Sequence, residues 1–133
     1  MRPRISSQEA IERRLGGIAR SSLRRLGIRR GTAAVILTTG AKLKRLKAAY
    51  YTKKKRSGDP DVLSFSERRD FPHPEAPGRF FGEIYLNKKF TSEPKRLEFL
   101  LIHGLLHLLG YSHDGKRDTL KMQSLEKKLM RTH

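Results

Sequence analysis

The sequence predicts an α+β domain: a small mixed sheet of three to four strands packed with about four to five helices. Three observations carry this. Three apolar runs of strand length, Ala33 to Thr39, Val62 to Ser66 and Phe80 to Asn87, sit between glycine-, proline- or charge-rich stretches. Segments with apolar residues at helical spacing stand before, between and after them. With 133 residues and 36% hydrophobic content the chain can bury one modest core, so residues 1 to 133 are read as a single domain.

Taken in order, Ser6 with Glu9 three residues on reads as a capping box, and Ile11, Leu15, Ile18 and Leu26 recur at helical spacing between arginines despite Gly16 and Gly17. Ala33 to Thr39, bounded by Gly31 and Gly40, is apolar and partly β-branched, which predicts a strand buried on both faces. Ala41 to Tyr51 puts Leu43, Leu46 and Tyr50 on one side and Lys42, Lys44, Arg45 and Lys47 around the other, an amphipathic helix with a basic back. A charged turn at 53 to 61 precedes the second strand, and a loop holding Pro72, Pro74, Pro77 and Gly78 precedes the third. From Pro94 to Leu109 the residues are nearly all apolar, predicting a helix buried on every face, and Gly110 supplies the left-handed stop. The last helix spans roughly Asp118 to Met130, with Met122, Leu125 and Leu129 on its apolar side and Asp118 as its cap.

Composition narrows the function. No cysteine is present, so disulfides and thiolate metal sites are excluded and any metal falls to His, Asp or Glu. That usage fits a reducing compartment. No apolar run approaches the roughly 20 residues of a membrane span, so a soluble protein is expected. The N-terminus has no apolar stretch of a secretory signal; an organellar presequence over residues 1 to 30 is the rival reading, opposed by Glu9 and Glu12. The net charge is +17, unevenly spread: residues 1 to 60 hold 17 basic and 3 acidic side chains, residues 61 to 133 hold 13 and 10. A basic half of this density predicts a polyanion partner, nucleic acid before membrane surface.

The chemistry concentrates at HGLLHLLGYSHD, residues 103 to 114. His103 and His107 are four apart, which on a helix sets them about 40° apart in rotation and about 6 Å along the axis, so both rings can address one ion. A reversal at Gly110 brings His113 toward the same face as a third ligand. Three protein ligands with the fourth position open is the arrangement of zinc sites that activate water. The spacing HxxxHxxGxxH is also the frame of metzincin proteases, where the residue after the first His is a catalytic glutamate. Here it is Gly104, which has no group to accept a proton. A peptidase mechanism therefore lacks its base.

HGLLHLLGYSHD resembles the HGxLHLxGYDH motif of the YbeY family of bacterial endoribonucleases, and upstream DVLSF at 61 to 65 and GEI at 82 to 84 resemble that family's strand motifs. The resemblance spans residues 61 to 114. It implies a zincin-like fold and a zinc-dependent, single-strand-specific endoribonuclease acting in ribosomal RNA maturation and ribosome quality control. It further implies a cytoplasmic location, single-stranded rRNA and the small ribosomal subunit or its proteins as partners, and no membrane association. His103, His107 and His113 match the family's ligands for one zinc ion, and Ser64 and Glu83 match positions on strands flanking the cleft. Three departures stand out. Ser112 replaces the family's Asp before the third histidine. The segment YYTKKKRSGDPD lacks the family's cleft arginine, leaving Lys53, Lys54 or Arg56 to hold phosphate. The chain also begins at a helix where the family begins with a strand. Residues from Lys42 to Arg56 are accordingly expected to position RNA, with Lys54, Arg56 and Ser64 the catalytic candidates. The alternative is an RNA- or ribosome-binding protein with a structural metal and impaired catalysis.

Overall fold

The computed structural model describes residues 6–50, 61–66, 79–112 and 115–130. Along the chain run α1 (Ser7–Arg25), β1 (Gly31–Thr38), α2 (Gly40–Tyr50), β2 (Val62–Ser66), β3 (Arg79–Asn87), a single 3-10 turn at Lys88–Phe90, α3 (Pro94–Leu108) and α4 (Lys116–Met130). The sheet is mixed, in the order β1-β3-β2, with β1 parallel and β2 antiparallel to the central β3. This is the α+β class the sequence predicts, with three strands and four helices among the described residues.

Helix α1 starts where its cap places it: the Ser6 hydroxyl oxygen accepts the Glu9 N–H at 3.1 Å. Its buried side, Leu15, Ala19 and Leu23, meets Leu37, Ile84 and Leu86 of the sheet and Leu97, Leu101 and Leu105 of α3 in the main core. Each fully buried leucine there contributes roughly 1.5 to 3 kcal/mol of transfer free energy. Two polar side chains of α1 treat β1 as a further strand would. The Leu37 N–H donates to Glu12 Oε2 at 2.7 Å, and the Gln8 amide donates to the Leu37 carbonyl at 3.0 Å. Both bonds fall on the side of β1 away from β3 and satisfy backbone groups there.

Strand β1 departs from expectation. Ala33 to Ile36 are half-buried rather than buried on both faces. The reason is topological: among the described residues β1 is the outer strand of the sheet, and α2 packs against β2 and β3. The faces can be assigned from the alternation of side chains along β2. Ser64 bonds the backbone of α3, while Phe65 makes an edge-on contact with Tyr50 of α2 at 5.5 Å between centroids. Helices α1 and α3 thus share one face and α2 takes the other.

Helix α3 is not buried on every side as predicted. Leu97, Leu101, Leu105 and Leu108 face the sheet, and Ile102 and Leu106 pack with Met122 and Leu129 of α4. What remains is a strip at every fourth residue: Phe99, 41% exposed, then His103 and His107, both partly exposed. Helix α4 begins at Lys116, one residue beyond Gly115 at φ 110°, so Asp118 lies inside the first turn rather than capping it. A carboxylate there still favours the positive helix end. No described helix is long and apolar enough to cross a membrane.

Candidate metal centre

Pro94, with no N–H to lose, opens α3 at its first turn, and the helix runs unbroken through both histidines. The four-residue spacing has the predicted effect. His103 Nε2 and His107 Nε2 lie 3.2 Å apart, with ring centroids at 4.7 Å and planes at 75°. His103 is fixed from behind. Its Nδ1–H donates to Glu126 Oε2 on α4 at 2.6 Å, and the glutamate is buried at 4% exposure. On its outer side the ring stacks on Phe99 at 6.1 Å and 28°. With Nδ1 turned to the carboxylate, Nε2 is the nitrogen that faces His107.

These residues fit a zinc ion on their own geometry. Two nitrogens on one tetrahedral zinc, each at about 2.0 to 2.1 Å, stand roughly 3.3 Å apart. The observed pair is within about a tenth of an ångström of that separation. A carboxylate behind a ligating imidazole is the usual support of such a site, holding tautomer and ring orientation together.

The turn after α3 forms as the glycine predicts. Gly110 adopts φ 97°, its N–H donates to the His107 carbonyl and the Tyr111 N–H to that of Leu106, both at 3.0 Å, the paired bonds of a Schellman stop. His113, the expected third ligand, lies outside the described residues, as do Lys53, Lys54 and Arg56. Among the described residues, no group of three or more metal-ligating side chains is found.

Gly104 has a steric explanation. A Cβ at this position would come within 2.9 Å of Ser64 Oγ and 3.0 Å of Ile84 Cγ2, because the helix lies directly on β2 and β3 here. A side chain there must push Ser64, Ile84 and Val62 aside, a glutamate most of all. Ser64, a catalytic candidate in the sequence, donates to the Gly104 carbonyl at 2.9 Å and so ties strand to helix between the two histidines. Glu83 is on the opposite sheet face, paired across the ladder with Phe65, and its carboxylate accepts from Tyr85 at 3.4 Å. Burial, followed by the neighbouring Glu83 charge, pushes the Tyr85 phenol above its ordinary range and keeps it a donor.

Glu126 is the member of the site that sequence reasoning misses. It sits in EKK, within a lysine-rich helix, where a glutamate reads as solvated. The signal lies in its spacing: with Met122 four residues before and Leu129 three after, it falls on the apolar side of α4.

Comparison with known proteins gives the arrangement a context. A family model described as Endoribonuclease YbeY matches residues 4–133. An endoribonuclease YbeY of Roseiflexus sp. (strain RS-1) is 33% identical over 110 residues, covering 73% of this chain and 67% of that protein. One from Heliobacterium modesticaldum is 31% identical over 115 residues, covering 74% and 67%. The solution structure of TM1509 from Thermotoga maritima superposes with a TM-score of 0.55 at 22% identity, covering 96% of this chain and 83% of that one, a likeness of fold.

Proposed function

Because the chain belongs to the YbeY endoribonuclease family, we propose that it hydrolyses single-stranded RNA at a centre on α3, with zinc held by His103, His107 and His113. The observation that carries this is the pair of Nε2 atoms 3.2 Å apart with the Glu126 carboxylate behind one of them. RNA cleavage is the activity named for the relatives. The finer reading, action on ribosomal RNA and the small ribosomal subunit in the cytoplasm, rests on the sequence motifs and on the basic N-terminal half.

Zinc, when bound, supplies a Lewis acid that lowers the pKa of water and screens charge developing on phosphorus. The rest is the work of this chain's side chains. His103 and His107 offer their Nε2 lone pairs from a rigid helix, so little reorganisation is needed. Glu126 keeps the His103 proton on Nδ1. Gly104 excludes a carboxylate base at the protease position, which directs the chemistry away from peptides. Lys42, Lys44 and Arg45, exposed along α2, contribute positive field, with Lys54 and Arg56 beyond it as candidate phosphate contacts.

The test compares wild type with His107→Ala on single-stranded RNA and on casein. Wild type is expected to cut RNA and leave casein intact, with the variant losing RNA cleavage by at least about 100-fold. RNA cleavage that survives His107→Ala would overturn the proposal. Zinc bound without cleavage would mean a binding protein with a structural metal.

A further inference from the structure

We infer that the groove between α3 and α4 beside His103 is a nucleobase pocket, in which Phe99 stacks a base of the single-stranded RNA next to the scissile phosphate. This rests on the nuclease reading and adds to it a residue that positions substrate. Phe99 is 41% exposed although it lies on the most apolar helix of the chain, one turn before His103 on the same strip. Its ring lies near-parallel to the His103 ring, at 28° with centroids 6.1 Å apart, which sets the aromatic plane beside the histidine strip. The groove it opens into is lined by Phe99, Gln123, Glu126, Lys127 and Met130.

Each wall suits a nucleotide. Phe99 offers a π-face and Met130 a polarizable flank to a planar ring. Gln123 is exposed at the rim with one amide donor pair and one acceptor, the groups that read a base edge. Lys127, also exposed, provides the cation for the adjoining phosphate. The carboxylate of Glu126 is turned inward to His103. An apolar peptide would use the aromatic face but has no need of the lysine, and the exposed Lys116, Arg117, Lys121, Lys127 and Lys128 of α4 favour a polyanion. Duplex RNA keeps its bases stacked and cannot insert one, so the pocket selects for unpaired strands.

The chain contains no tryptophan, so Phe99→Trp introduces a single fluorescent reporter on a partly exposed helix surface. The full-length variant is mixed with a short single-stranded RNA, and its emission is read before the first turnover, beside the anisotropy of labelled RNA. Strong quenching by single-stranded RNA and none by duplex RNA is expected. Binding seen by anisotropy with no quenching would overturn the inference, as would equal quenching by duplex. In the wild-type background, Phe99→Ala should raise KM for single-stranded RNA about 10-fold, the order of one lost base stack, at unchanged zinc content and melting temperature. Phe99→Tyr should restore it; an unchanged KM for Phe99→Ala counts against the pocket. Quenching without cleavage would sink the nuclease reading and leave the base pocket standing, whereas cleavage without quenching does the reverse.

Discussion

His103 is held at both ring nitrogens, and the two contacts do different things. Glu126 fixes where its proton is, and the approach of His107 fixes where its lone pair is needed. On the proposed zinc reading, removing the carboxylate weakens metal binding without removing a ligand. Glu126→Ala is expected to lower zinc affinity about 10- to 100-fold, measured by competition with a chromophoric chelator. Glu126→Gln, whose amide oxygen still accepts from Nδ1, should recover part of that loss. Equal affinity in all three proteins would show that the contact is packing alone. This residue also marks how far the sequence could be read. The histidine spacing declared itself because imidazoles are rare in apolar runs, whereas Glu126 sits among lysines and is distinguished only by its position relative to Met122 and Leu129. Its partner is 23 residues away, and no local pattern connects them.

Helix α3 acts as a strut whose placement depends on one close approach. Gly104 lets the helix rest on β2 and β3, and the Ser64 hydroxyl locks that contact at 2.9 Å. Gly104→Ala is expected to destabilise the fold by roughly 1 to 3 kcal/mol through overpacking, seen as a lower melting temperature. Ser64→Ala should cost about 1 kcal/mol. The double variant should lose less than the sum, since Ser64 Oγ is the nearest atom the new methyl meets; strict additivity would contradict this account of the contact. At this scale the sequence was legible in element type and nearly so in boundary, because caps and turn glycines are local: Ser6, Pro94 and Gly110 each act where they were read. Burial was not. The apolar content of β1 suggested a central strand and that of α3 a wholly enclosed helix, yet neighbours decide burial. Among the described residues β1 is the outer strand, and α3 leaves the Phe99, His103 and His107 strip open.

Across the whole molecule the charge is divided as the chemistry is. The N-terminal half supplies α1 and α2, whose exposed arginines and lysines frame a positive surface, and the C-terminal half supplies the histidines. Binding of single-stranded RNA is therefore expected to weaken steeply with salt. Replacing Lys127 of the α3–α4 groove by Gln should flatten the double-logarithmic slope by about 0.7, the share of one phosphate contact on a single strand. An unchanged slope would place the RNA elsewhere. Whether the paired histidines of α3 form a metal centre that cleaves RNA is decided by titrating zinc into metal-free protein while following hydrolysis of single-stranded RNA. Activity should rise to a plateau at one zinc per chain, and His107→Ala should fail to recover it at any zinc concentration. Full activity in the metal-free protein, or a zinc response that persists in His107→Ala, would contradict a metal centre there.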